Sequence, residues 1–144
     1  DDIILEQVSR PGTPSEVIEQ VKTLLQKVKK GETVEDVPAY LMNLFHPDLQ
    51  PYLTSWFRFN PSVEIGKLTC PVLIIQGDND IQVNVQEALL LQEGNKNSKK
   101  VIINGMNHIL KDADSDFHKY VATYNNPDLP LKQEVIAEMK LFVQ

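Results

Sequence analysis

Apolar positions recur along this chain with two different spacings, and the change comes near Gly66. Before it, the spacing is helical. Ile3, Ile4, Leu5 and Val8 form one apolar face over residues 1–9, which Arg10-Pro11-Gly12 interrupts. Val17, Val21, Leu24, Leu25 and Val28 then predict an amphipathic helix that stops at Gly31. Thr13-Pro14-Ser15-Glu16 reads as its start, with Thr13 as N-cap, Pro14 at the first helical position and Glu16 closing a capping box. Thr33 and Asp36 suggest a second helix start, with Tyr40, Leu41, Leu44 and Phe45 as its apolar face. Beyond His46-Pro47-Asp48, Tyr52, Leu53, Trp56 and Phe57 predict a helix over about residues 49–57, and Pro61–Gly66 a short helical turn.

After Gly66 the pattern is that of strands. Val72-Leu73-Ile74-Ile75 has no polar alternation, which is how a parallel strand buried on both faces reads. A helical segment follows over roughly Val83–Glu93, then a second apolar run at Lys100-Val101-Ile102-Ile103. Strand, helix, strand is a βαβ unit, whose crossover makes the strands parallel and puts both following turns at one end of the sheet. Residues 111–130 are polar and carry Pro127 and Pro130, so they read as loop. Val135, Ile136, Met139 and Phe142 predict a final helix over 131–143.

The two turns are Gly77-Asp78-Asn79-Asp80 and Asn104-Gly105-Met106-Asn107-His108. The carboxyl ends of parallel strands are where catalytic groups collect in α/β sheets, so an acid and a histidine could meet there. Cys70 is the single cysteine, and beside an apolar run it reads as a packed, inert thiol.

Pro71-Val72-Leu73-Ile74-Ile75-Gln76-Gly77-Asp78-Asn79-Asp80 resembles the penultimate strand and acid turn of an α/β-hydrolase, and Gly105-Met106-Asn107-His108 resembles the turn that delivers that fold's histidine. The esterase and serine-aminopeptidase-like branch has segments similar to Gln50–Phe57 and Ala122–Leu131 as well. The resemblance implies an α/β fold class: the C-terminal fragment of an α/β-hydrolase, with a helical cap region (1–66) followed by a β-α-β-α unit with parallel strands (67–144). It also implies a catalytic pair, Asp80 and His108, as second and third members of a Ser-Asp-His triad. Asp80 is favoured over Asp78, which suits capping of turn amides. His46 and His118 read as solvated, and Asn107 as a turn-former or a brace for the loop.

No G-x-S-x-G elbow and no HGGG-like loop occur in the sequence. The nucleophile and oxyanion donors of such a triad are therefore expected outside this chain, which alone is expected to be inactive. The implied function is cleavage of a small-molecule carboxylic ester, or an amide or peptide, by a serine hydrolase. The alternative is a non-catalytic binding module with a hydrolase-like fold. Neither cofactor nor metal is expected, since no His, Glu or Cys set has ligand spacing. A net charge of −6 argues against a nucleic-acid partner, no apolar stretch has the length of a membrane span, and Asp1-Asp2 is not a basic signal-peptide start. Two buried strands with free edges are expected to make the fragment self-associate or pair with a missing N-terminal half.

Overall fold

The computed structural model describes residues 2–114 and 116–144. Contacts divide the chain into two compact units, Asp1–Asn60 and Pro61–Gln144.

The first unit is helical. Helix α1 (Asp2–Val8) packs on α2 (Ser15–Lys29), whose Val21, Leu24, Leu25 and Val28 are buried. These four meet Val37, Leu41, Phe45 and Leu53 in one core, with Ile4, Leu5 and Val8 against its side. Burying one such side chain is worth about 1.5–3 kcal/mol, so this face, not helix propensity, holds α2 in place. Gly31, at φ +82°, ends the helix as expected. Its start differs: Pro14 occupies the capping position with extended ψ, and no side chain caps the helix. The expected Thr13–Glu16 capping box does not form, because the helix begins one residue later, at Ser15.

The helix expected from Thr33 and Asp36 is also replaced. Pro38 takes φ −54° and ψ 139°, and proline disfavours helical backbone in the residue before it, so the chain turns only afterwards. A 3₁₀ turn (Ala39–Leu41) leads into the one-turn helix α3 (Met42–Phe45), and a second 3₁₀ turn (Pro47–Leu49) into α4 (Gln50–Phe57). Of the apolar face expected on α4, Leu53 is buried, whereas Tyr52 and Trp56 are more than half exposed and lie against each other with ring centroids 4.5 Å apart. The unexpected buried residue is Gln50. Its Oε1 accepts from the Val34 amide, and its Nε2 donates to the Val34 and Phe45 carbonyls at 2.7 and 2.8 Å. Val34 thereby has partners for both its backbone groups without secondary structure.

In the second unit, α5 (Pro61–Ile65) packs on α6 (Val85–Gly94), and Asn95 Nδ2 donates to the Ile65 carbonyl. Strands β1 (Leu73–Gly77) and β2 (Lys99–Ile103) are parallel, with Ile75 opposite Val101 and Gly77 opposite Ile103. Helix α6 lies between them in sequence, capped by the Asn84 side chain, which accepts from the Gln86 amide. Ile75 and Val101 pack against Ile103, Met106 and Val135 of the last helix, α8 (Gln133–Phe142). The architecture is thus mixed, with helices and one parallel pair of strands.

Three expectations need correction here. The strands are covered only in part: Ile74 and Ile103 are buried, but Leu73 and Ile75 are half-buried and Ile102 is exposed. Cys70 is exposed, because pairing starts at Leu73 and the Thr69–Pro71 segment stays outside the sheet. The stretch 111–130 is not all loop. Its residues 117–124 form a helix, α7 (Phe117–Tyr124), whose first turn is capped by Asp116 accepting from the Lys119 amide.

Candidate functional site

The parallel register places the ends of β1 and β2 side by side, and each strand runs directly into one of the two turns. Gly77 makes their approach possible. A Cβ at this position would lie 2.0 Å from the Met106 carbonyl oxygen, so the second turn rests on the backbone of the first. Hydrogen bonds then join the turns. Asp78 donates its amide to Ile103 O, and its carboxylate accepts from the Gly105 amide at 2.6 Å and from Asn104 Nδ2 at 3.0 Å. Asn79 donates its amide to Met106 O and its side chain to Ala113 O. Asp78 therefore does hold turn amides, and they belong to the other turn.

Asp80 and His108, 28 residues apart, are brought together: His108 Nδ1 lies 2.9 Å from Asp80 Oδ2. The two are unequally exposed, the acid's side chain at 5% and the imidazole at 41%. Asp80 Oδ1 accepts from the amides of Gln82 and Val83 at 2.7 and 3.0 Å, and Oδ2 from Gln76 Nε2 at 3.1 Å. Burial pushes this carboxyl up, but the hydrogen bonds from Val83, His108, Gln82 and Gln76 together outweigh it and hold the group below the ordinary aspartate value. Asp80 is thus a carboxylate at neutral pH. A carboxylate can only accept, so Nδ1 carries the proton and Nε2 is the ring nitrogen left to take one.

Around the pair lies a cleft of about 180 Å³, lined by Ile75, Gln76, Val83, Met106 and Leu110 together with Asp80 and His108. Leu110 holds the left-handed conformation, φ +62°, within the loop that presents His108. That loop is tied at both sides: Asn107 exchanges backbone hydrogen bonds with Lys111 and Leu110, and the Lys132 amide donates to Leu110 O. Asn107 is itself buried, donating Nδ2 to Thr123 Oγ1 at 2.8 Å and accepting from the Lys111 amide. It braces the loop through its side chain. Lys132 forms an ion pair with Asp112, which raises its pKa.

Neither of the other histidines joins the site. His46 lies in the first unit and accepts from the Asp48 amide, and His118 is an exposed residue of α7. Among the described residues no cluster of three His, Cys, Asp or Glu side chains could hold a metal ion, and no helix is long and apolar enough to cross a membrane.

Sequence reasoning missed Gln76, Tyr120, Thr123 and Tyr124. Gln76 spans the acid turn, donating to Asp80 Oδ2 and to the Val83 and Gly77 carbonyls. The other three lie on α7, whose signal was present: Phe117, Tyr120, Val121 and Tyr124 have helical spacing behind Asp116 as cap. Pro127 and Pro130 lie beyond that helix and bear only on the segment after it.

Comparison of the chain with protein-family models, with curated proteins and with solved structures yields no match.

Proposed function

We propose that this chain supplies the acid and the base of a serine hydrolase acting on carboxylic esters, and less readily on amides or peptides. The observation that carries the reading is the 2.9 Å contact between a buried, amide-held Asp80 carboxylate and His108 Nδ1 at the carboxyl ends of adjacent parallel strands. In this chemistry the carboxylate fixes the imidazole tautomer and stabilises the imidazolium that forms, without itself taking the proton. His108 Nε2 removes the proton from a serine hydroxyl as that oxygen attacks the acyl carbon, then returns it to the leaving group. A water molecule, activated by the same nitrogen, releases the acyl group. The sequence contains no Gly-flanked serine of the elbow type, so the nucleophile and the oxyanion donors come from residues outside these 144.

The test is fluorophosphonate labelling of the protein at its natural length, with the labelled peptide located by mass spectrometry. Labelling of one serine is expected, abolished by His108→Ala and slowed on the order of 10⁴-fold by Asp80→Asn, which favours the wrong tautomer. A natural product that does not label, or labels equally in His108→Ala, overturns the hydrolytic reading and leaves a binding module.

A further inference from the structure

Helix α7 touches both turns of the site through hydroxyl groups. Tyr120 is buried, and its Oη accepts from the Ile81 amide, the residue after Asp80, at 3.3 Å. Tyr124 Oη lies 3.3 Å from Tyr120 Oη and accepts from Gln82 Nε2 at 3.0 Å, and the Gln82 amide donates to Asp80 Oδ1. On the histidine side, Thr123 is buried and gives its hydroxyl proton to the Tyr120 carbonyl, which leaves its oxygen to accept from Asn107 Nδ2. Asn107 directly precedes His108. One turn of helix therefore grips residues 81 and 82 with two phenols and residue 107 with a threonine hydroxyl.

Burial makes this grip specific. An Asn107 amide without its acceptor would be an unsatisfied polar group in the interior, so the loop cannot slide along α7 without losing that bond. Tyr120, also buried, acts likewise on the acid turn through the Ile81 amide. Gly77 sets how near the two turns lie and Asp78 and Asn79 bond across them, while α7 contacts each turn at the residue adjoining its functional side chain.

We propose that α7 is the positioning element of the Asp80–His108 pair, with Tyr120 and Thr123 as positioning residues that act through Ile81 and Asn107. The inference concerns the geometry of the pair and uses the proposed reaction only to give that geometry a purpose. Substitution on α7 then alters the imidazole itself, whether or not a nucleophile is present.

The experiment is two-dimensional ¹H–¹⁵N spectroscopy of the imidazole rings in the whole chain, where His46 and His118, both outside the site, act as internal references. His108 is expected to be a single Nδ1–H tautomer with a slowly exchanging ring proton. Thr123→Val keeps the shape of the side chain but removes the acceptor. It should turn the His108 pattern from a single Nδ1–H tautomer into a mixture of both tautomers and speed ring-proton exchange at least about tenfold, while Thr123→Ser restores the original pattern. Tyr120→Phe should have the same effect from the acid side. Ala88→Gly, in α6, is the control for lost stability alone and should leave the His108 pattern unchanged.

Retention of the single tautomer in folded Thr123→Val or in folded Tyr120→Phe overturns the proposal. If Thr123→Val does not fold, Tyr124→Phe at the half-exposed end of the same chain of hydroxyls decides, with the same two outcomes. Failure of fluorophosphonate labelling would reject the hydrolase reading and leave this result unaffected.

Discussion

The closest backbone approach in the site gives its sharpest prediction. In Gly77→Ala the new methyl would stand 2.0 Å from Met106 O, 2.6 Å from its carbonyl carbon and 3.0 Å from its Cβ. To reach ordinary contact at 3.4 Å, the carbonyl must retreat by about 1.4 Å. It has little room to do so. Met106 is 1% exposed and packs against Ile103 and Val135, and its carbonyl already accepts from Asn79. Overpacking of this kind costs about 1–3 kcal/mol, and the Asn79–Met106 hydrogen bond adds roughly 1 kcal/mol when it breaks, so a loss of about 2–4 kcal/mol is expected.

A single domain is stable by about 5–15 kcal/mol, so the variant should still fold. With a urea slope of about 2 kcal/mol/M, the midpoint should fall by about 1–2 M. The probe must report on the second unit. Trp56 lies in the first, so the amide signals of Ile75 and Val101, paired across the sheet, are the right ones to follow. A displacement of 1.4 Å also carries the 2.9 Å Asp80–His108 contact beyond hydrogen-bonding distance, so the Nδ1–H signature of His108 should disappear in the folded variant. An unchanged midpoint together with an intact His108 signature would refute the close approach as the factor that sets the distance between the turns.

Two further outcomes follow from buried polar groups. Asp80 has a folded pKa below its ordinary value of 3.8, so its ionisation stabilises the fold above about pH 4, and this contribution fades as the pH falls through the lower folded value. Acid titration of the β1 and β2 amide signals should therefore show a shallower loss of stability below pH 4 in Asp80→Asn than in the parent, and equal slopes would contradict the assignment. In the first unit, Gln50→Leu leaves the Val34 amide and carbonyl and the Phe45 carbonyl without their partner, at a cost of about 1–3 kcal/mol per buried group. Urea unfolding followed by Trp56 fluorescence should reveal a loss of that order, while the Ile75 and Val101 signals of the second unit keep their midpoint.

The strands and the meeting of Asp80 with His108 were legible because both rest on short-range signals: unbroken apolar runs, turn residues at their ends and a helical segment between them. The register that follows from parallel pairing did the rest. What escaped was polar and tertiary. Gln50 has nothing in its neighbourhood to mark it as buried, since its partners at Val34 and Phe45 are fixed by packing and not by spacing. Tyr52 and Trp56 share an apolar face with Leu53 yet stay exposed for the complementary reason, because helical spacing shows which residues share a face and not whether anything covers it. Helix α7 was hidden by two prolines that lie beyond its end. Cys70 reads as packed by its proximity to the strand, yet the ladder starts three residues later, at Leu73.

The unequal burial of the pair bears on how it handles a proton. Had Asp80 depended on His108 alone to offset its burial, the two would titrate as one unit, and a proton arriving at the imidazole could be shared with the acid. Instead the Val83 and Gln82 amides hold Oδ1 and the Gln76 amide shares Oδ2, so three donors besides the imidazole favour the carboxylate. Its charge is thus favoured by three groups that do not titrate as well as by His108. The acid stays ionised in either state of the histidine, because Nδ1–H donates to it in both. The ring in turn is 41% exposed, so it can meet a reacting group while its other nitrogen is held by the buried acid. In the proposed reaction, a fixed buried charge behind an accessible base lets the imidazole pass a proton to and from the reacting group. Removal of Gln76 tests this division of labour at its weakest point: Gln76→Leu should raise the Asp80 pKa toward the ordinary value, because one of the three fixed donors is lost, while the two backbone amides keep the group ionised at pH 7. An Asp80 resonance in ¹³C-detected titration that does not move in Gln76→Leu would show that the backbone amides and His108 set its charge without Gln76.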